Sequence, residues 1–578
     1  MKSSKKFAVL GILVIASMIL AACGPGTGTS GAPVTLRINW GTEPPALDPS
    51  LATDSTSINV IHSLFAGLTQ FDPITGEVLP YLATTWDVSD DGLTYTFHLR
   101  EDLPWVTYDN TTGVVSQVED ADGNPRFVNA YDVEYGVKRT LNPDTGSGYA
   151  YVMYVIKNAA AINGGEEGLT VDDAGVHVID ANTIEFTLEY PAAYFPSIAA
   201  MWTSWPQPEW VVEEFGDSWT EAENIITNGS YVLDTWVHGD QLVLVKNPLW
   251  IDAGNVQIDR VEGVMIVEDS TSFALYENNE LDTTGVPLAE IDRVKADPVL
   301  SAEFYNAPAP CTYYYGFNNQ KYPFTDRDVR AAFSMAIDRQ SLVDNVLKGG
   351  QIPATSFAPP GIFGAPAPGE VGLGYDVDGA KAALQSFLDR EGMTLEEFNA
   401  LGVTLMHNTS EGHARIAAAI QQMWADNLGV TVNVENQEWA VYLTTVGATT
   451  PIEEAPHIFR MGWCADYPDE NNWVHEVFNS TAGANRARRN CDDPNCGSAT
   501  PSKFDELTTQ AALESDPAKR VELYHEAEKI LSDDEAAIAF IYHYSTVNVT
   551  KTWLTRNFPA LGGLDFWNWK VDTAARGY

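Results

Sequence analysis

The sequence predicts an α/β protein of two or three lobes, and three observations lead there. Segments with the period-two alternation of strands are interleaved with segments whose apolar residues recur at helical spacing, the order that builds strand, helix, strand units. About 550 residues follow the apolar N-terminal stretch, more than one hydrophobic core usually serves. With 45% hydrophobic and 11% aromatic residues the chain can furnish large cores and an aromatic-lined cavity, and global disorder is excluded.

Lys2, Lys5 and Lys6 precede an apolar run over 7–20 that ends at Leu20-Ala21-Ala22-Cys23. This is the pattern of a secretory signal peptide, residues 1–22, closed by a lipobox, with Cys23 as the expected lipidated first residue of the mature chain. The run is too short to be read as a membrane-spanning helix. Residues 23–32, rich in Gly, Ser, Thr and Pro, are the expected lipid-anchored flexible tether. Gly26, Gly28 and Gly31 match the G-x-G-x-x-G spacing, but no strand precedes them and no helix follows, so a dinucleotide site is not expected.

Residues 35–40 alternate as a strand and run into a turn at Pro44, Pro45 and Pro49, where proline forbids helix and central strand alike. Residues 95–100 and 183–188 are further alternating strands. Between them, 129–139 reads as a helix capped by Asn129 with Val133 and Val137 on one face. Residues 313–319 form a strand, followed by an amphipathic helix over 326–347 with Val329, Phe333, Ala336 and Ile337 on its apolar side. A strand at 403–406, a helix over 413–428 stopped by Gly429 and a strand at 430–434 repeat the alternation, with right-handed crossovers. A helix over 517–532 and a buried strand over 537–544 complete the set.

The 79 acidic against 33 basic residues give a net charge of -46, a surface field that repels a phosphate backbone, so nucleic acid is excluded as a partner. No H-E-x-x-H, G-x-S-x-G or P-loop occurs, and neither catalysis nor a cofactor nor a metal is expected; a secreted hydrolase is the remote alternative. Paired carboxylates such as Asp533 and Asp534 read as a solvated helix end. With Cys23 assigned to lipid, four cysteines remain for disulfides outside the cytoplasm. Cys491 and Cys496 flank the turn-like Asp492-Asp493-Pro494-Asn495 and are the expected pair, with a zinc site of Cys491, Cys496 and His475 as the competing reading.

The run Arg460-Met461-Gly462-Trp463-Cys464-Ala465-Asp466-Tyr467 speaks most directly of function, because it sets a guanidinium, an indole, a cysteine and a carboxylate on what reads as a strand end. A carboxylate beside an exposed backbone edge suits the ammonium terminus of an extended peptide. The run resembles the Gly-Trp-Cys-Ala-Asp-Tyr signature of oligopeptide-binding proteins, the extracytoplasmic receptors of peptide ABC importers within solute-binding family 5. Other landmarks resemble that family in order: Leu47-Asp48-Pro49, Phe97-His98-Leu99-Arg100 with Trp105, Asn228-Gly229-Ser230-Tyr231, Lys246 to Trp250, Asn408 to His413, and Asn436 to Trp439.

The resemblance implies a type II periplasmic-binding-protein fold of two α/β lobes plus an extra subdomain, like that of cluster C. Lobe I would be discontinuous, from 33–55, 203–310 and 545–578, with an inserted subdomain at 56–202 and lobe II at 311–544. The implied function is capture of oligopeptides between the lobes by a monomeric lipoprotein anchored on the extracytoplasmic side of the cell membrane. Delivery would be to ABC permease subunits with associated ATPases. A family 5 receptor for a sugar or nickel complex, or for a peptide signal, is the alternative.

By the same resemblance Asp466 meets the ligand's α-amino group, and Gly462, Trp463 and Cys464 form the edge. Trp463, Trp439 and Tyr149 wall side-chain pockets, Glu43 faces the second pocket, and Arg460 and His413 hold a short peptide's carboxylate. It also supports pairing Cys311 with Cys464. The chain departs from the family at two basic positions used for ligand C-termini, where Leu347 and Val446 stand; Lys348 is one residue from the first. A tyrosine of the peptide-binding relatives is also missing near Thr283-Thr284-Gly285. These losses permit longer peptides or a different solute.

Overall fold

In a computed structural model, residues 33–577 are described apart from Ala482 and Asn495, so the expected signal peptide, Cys23, the tether and its glycine motif lie outside the described residues. The first strand forms at Thr35–Asn39 and lies parallel to Arg260–Val264, with Gln241–Lys246 and Tyr231–Val237 completing a four-stranded sheet. A second sheet, antiparallel, runs in the order Ala83–Val88, Thr94–Leu99, Thr183–Thr187, Val176–Asp180. The helix Ala130–Leu141 begins where Asn129 accepts from the Tyr131 N–H while Asp132 accepts from the Asn129 N–H, a reciprocal cap. Both sheets share one apolar core that reaches from Leu36 through Phe97 to Trp569, so the segment expected as an inserted subdomain has no core of its own. Gly229 is required where it stands, since a Cβ there would lie 2.5 Å from the Ser63 carbonyl oxygen.

The largest sheet is ordered Thr283–Gly285, Ile538–Thr550, Phe304–Phe317, Ile458–Cys464, Thr404–Asn408, Asn433–Gln437. Alternate side chains of its strands enter two different cores: Tyr313, Tyr315 and Ile541 on one face, Tyr314, Phe459 and Phe540 on the other. The strands expected at 313–319 and 537–544 are both far longer, 14 and 13 residues. Their antiparallel ladder is irregular at two places: between Tyr313 and Tyr314, where Ile541 is passed over, and over a longer stretch after Pro308. Pro308 pairs with Ser545 and the next pair is Thr312 with His543, so residues 309–311 face Tyr544 alone. Pro308 and Pro310 have no N–H to give to a ladder, which accounts for the break. The lobe boundaries expected after 310 and after 544 fall inside it.

Two other expectations are corrected. The helix expected over 326–347 breaks into Arg327–Met335, Arg339–Leu342 and a wider turn at Val343–Leu347, because the Asp338 carboxylate accepts from the Ser341 N–H and starts a new helix. The strand expected at 430–434 begins only at Asn433, where pairing with Thr404–Asn408 starts; Val430 and Val432 are buried in the connection instead. The helix Glu411–Leu428 keeps its signals, Ser410 as N-cap and Gly429 at φ +70° as its stop. Cys311 is bonded to Cys464 and Cys491 to Cys496. Among the described residues no group of three metal-ligating side chains occurs, and no helix is long and apolar enough to cross a membrane.

Candidate functional site

Along its whole length Ile458–Cys464 pairs on one flank with the strand that carries Cys311 and the tyrosines. On the other flank Thr404–Asn408 reaches it only at Ile458 and Phe459. The Arg460 carbonyl accepts from the Tyr442 hydroxyl, and from Arg460 onward that edge has no strand beside it among the described residues; free N–H and C=O groups on such an edge are a template for an added strand. Cys464 lies directly opposite Cys311, so the disulfide pins the end of the edge, and the Ala465 N–H donates to the Pro310 carbonyl at 2.9 Å.

Asp466 stands just beyond. Its Oδ2 accepts from the Tyr149 hydroxyl at 3.1 Å and from the Asn472 amide at 2.9 Å, while its own N–H donates to Asn472 Oδ1 at 2.8 Å. Tyr149 lies flat over Trp463, centroids 6.0 Å apart at 10°. Burial pushes the Asp466 carboxyl up to about 6 against the two hydrogen bonds that favour its charge. The same Asn472 amide donates to Glu476 Oε2 at 2.7 Å, and the Tyr467 hydroxyl donates to Oε1 at 2.6 Å. Burial raises Glu476 to about 8, so of these two carboxyls Asp466 ionises first.

Six residues earlier, Arg460 is buried beneath the edge. It donates to Asn408 Oδ1 at 3.2 Å and to the Tyr544 hydroxyl at 2.6 Å, and its guanidinium lies 4.8 Å from the Tyr313 ring centre. No carboxylate pairs with it among the described residues, and its Nε has no partner. A buried cation without an anion is costly, which makes this a place for one. His413 packs 5.6 Å from Tyr313 with its Nδ1 unpartnered, and burial, reinforced by Arg460 and His407, holds its imidazole far below the usual range and neutral. Gly462 leaves room for this cation, since a Cβ there would stand 3.1 Å from the Tyr544 hydroxyl and 3.4 Å from an Arg460 nitrogen.

Trp439 opens the helix Trp439–Thr445 and its indole N–H donates to Asp54 Oδ1 at 3.3 Å, reaching the cap of the helix Ser55–Leu64 on the other half. Glu411 likewise accepts from the Ser270 N–H and hydroxyl, at 3.1 and 2.6 Å. Tyr194 stacks on Tyr467, centroids 5.7 Å apart.

Glu43 stands apart from this group. Its oxygens accept from Trp236 Nε1 and His238 Nδ1, both at 2.8 Å, and from the Gly239 N–H at 2.6 Å, so the hairpin of its own sheet takes up the carboxylate that was expected to face a pocket. Leu347 and Val446 are buried, and Lys348 pairs with Asp292. Asn472 and Asp54 left no signal in the sequence, whereas Tyr544 ends a buried apolar run and Asn408 opens the Asn408 to His413 landmark, neither with a site role expected of it. On the other side, the Cys311–Cys464 bond, Ala465 and Asp466 form one wall of a cavity of about 360 Å³.

Residues 77–485 match the pattern of bacterial extracellular solute-binding proteins, family 5. The oligopeptide-binding protein OppA of Bacillus subtilis is 34% identical over 568 residues, 95% of each chain. Haemophilus influenzae OppA, in complex with the peptide RPPGFSPFR, superposes with a TM-score of 0.80 at 26% identity, covering 94% of this chain and 99% of that one. The murein tripeptide binding protein MppA of Escherichia coli gives 0.79 at 30% identity, over 94% and 99% of the two chains. Against the unliganded open form of MppA the score falls to 0.59 at the same identity and coverage, so the halves here are not spread as in that form. Matched to the family pattern over more than half its length, the chain belongs to the bacterial extracellular solute-binding proteins, family 5.

Proposed function

We propose that this chain is an extracytoplasmic receptor that captures oligopeptides between two lobes and delivers them to the permease of an ABC importer, with ATP hydrolysed by other subunits. One observation carries the reading: the open flank of the 460–464 edge ends beside the Asp466 carboxylate. An extended peptide laid there satisfies its amides as an added strand whatever its sequence, with Trp463, Tyr149 and Trp439 as walls for its side chains. Its ammonium meets Asp466 and its carboxylate points towards Arg460 and His413, so the ligand runs antiparallel to Ile458–Cys464. Leu347 and Val446 are buried and Lys348 pairs with Asp292, which leaves the far end of the ligand to Arg460 and His413 in this reading.

The interrupted ladder between Pro308 and Thr312 serves as the hinge between lobe I (33–55, 203–310 and 545–578, carrying the insertion 56–202) and lobe II (311–544). Acylated Cys23 and the tether 23–32 hold the receptor, a monomer, to the outer face of the membrane. The names of the relatives, oligopeptide-binding OppA and murein-tripeptide-binding MppA, support the ligand class.

Calorimetry with a tripeptide, its N-acetyl form and its C-terminal amide tests the assignment. Losing one member of a buried charge pair is expected to cost the acetylated peptide about 100-fold or more in affinity. The amide is expected to bind more weakly than the free acid. Equal affinities for all three would sink both end assignments, and release of a sugar instead of peptides on denaturing the purified protein would sink the ligand class.

A further inference from the structure

The cavity beyond the disulfide shares Asp466 and the Cys311–Cys464 bond with the strand edge, but neither Tyr149, Trp463, Trp439, Arg460 nor His413 lines it. Its other walls come from the helix Ser55–Leu64 and the stretches 69–73, 200–205 and 559–567. Among the described residues three carboxylates line it, Asp72, Asp466 and Asp565, and no lysine or arginine does. Phe65, Phe71, Tyr81, Trp202, Trp205 and Trp567 supply aromatic surface. The N–H groups of Trp202 and Trp205 are spent on the carbonyls of Ala52 and Ala200, and the Tyr81 hydroxyl accepts from Trp250, so these rings offer the chamber chiefly their π systems.

Two polar groups in it are poorly served. Asp565 accepts one hydrogen bond, from Asn557 at 3.5 Å, and burial raises its carboxyl to about 6. His62 lies 5.0 Å from the Trp205 ring, makes no hydrogen bond among the described residues, and is held neutral by burial, near 4. Carboxylates, π faces and a lining without lysine or arginine among the described residues are together the complement of an organic ammonium group. The volume is that of a small-molecule pocket.

We propose that this chamber is a second binding pocket, specific for an organic ammonium group, with Asp565 as its counter-ion, the Trp202, Trp205 and Trp567 rings as its cation–π walls and His62 as a hydrogen-bond acceptor. The ammonium is borne either on the first side chain of a bound peptide, an arm that rests on the peptide reading above, or on a free amine. Asp72 is spent on its own turn, accepting from the N–H groups of Ile74 and Thr75 at 2.8 Å, and is left to the rim.

Titration of the purified protein and its Asp565→Asn variant with Lys-Ala-Ala, norleucine-Ala-Ala, Ala-Ala-Ala and 1,5-diaminopentane separates the sources. The lysine peptide is expected to bind wild type about tenfold or more tightly than its norleucine isostere. Asp565→Asn is expected to erase that gap while leaving Ala-Ala-Ala affinity unchanged, which also shows that the variant is folded. Equal binding of the lysine and norleucine peptides together with no diamine binding overturns the pocket, as does a lysine preference that survives Asp565→Asn. Diamine binding lost in the variant, without a lysine preference, assigns the pocket to a free amine. Should no tripeptide bind at all, the peptide reading falls and the diamine alone decides: binding that needs Asp565 sustains the pocket, and none removes it.

Discussion

At Asp466, removal from water outweighs two hydrogen bonds and holds the carboxyl at about 6 instead of near 3.8. An arriving ammonium reverses that balance. Peptide affinity is therefore expected to fall as pH drops through 6, because a protonated Asp466 must give up its proton to bind, and calorimetry in buffers of different ionisation heat should detect that release at pH 5 and none at pH 8. For the empty protein the sign is opposite: a raised carboxyl favours folding below about pH 4, and that contribution is lost as pH rises through about 6. Asp466→Asn should then leave the empty protein equally or slightly more stable at pH 7.5, by up to about 2 kcal/mol, while weakening peptide binding about 100-fold or more. Thermal melts with and without peptide check both halves. Asp466, Trp463 and Arg460 were legible because they fall on one short run with a strand end; Asn472 was not, since a wide turn brings it back to Asp466 and turns of that kind leave no periodic trace.

The proposed binding edge is one strand whose open flank would be free to fray but for its last residue. The Cys311–Cys464 bond closes a loop of sequence separation 153, which in the chain-entropy account is worth about 5 kcal/mol. The double variant Cys311→Ser with Cys464→Ser is expected to lower the denaturation midpoint accordingly and to speed amide exchange at 460–464 relative to the Tyr-rich strand beside it. Exchange unchanged at those amides would show that the edge needs no pin. At this scale the capped helices Ala130–Leu141 and Glu411–Leu428 were readable, since Asn129, Ser410 and Gly429 are local signals for local structure. The extent of Phe304–Phe317 was not, because Pro308 and Pro310 read as terminators and instead sit inside a strand at its interruption. Asp338 was hidden within an unbroken apolar pattern that favoured one long helix.

Among the described residues the polar contacts that join the halves include Tyr149 to Asp466, Trp439 to Asp54, Ser270 to Glu411, Lys348 to Asp292 and Lys295 to the Lys348 carbonyl. Each is worth about 1 kcal/mol net. Glu411 also raises the nearby, half-buried Asp269, next to burial the larger cause, so this latch carries a like-charge penalty. Ser270→Ala is expected to enlarge the ligand-free radius of gyration in small-angle scattering and to weaken peptide binding several-fold, with the liganded radius unchanged. An unchanged ligand-free radius would place the closing energy elsewhere. The two-lobe plan was legible from chain length and family landmarks, whereas the single core shared by the first two sheets was not, because residues as distant as Leu36 and Trp569 meet in it.

The interrupted ladder has one more consequence. The two crossing strands are neighbours in one sheet and lose their pairing at the same level, where residues 309–311 pass Tyr544. In the hinge proposed above, two adjacent pivots would define a line and leave the halves essentially one rotational degree of freedom. A single pair of spectroscopic labels, one on each half and far from that line, should therefore follow the opening of the molecule from end to end.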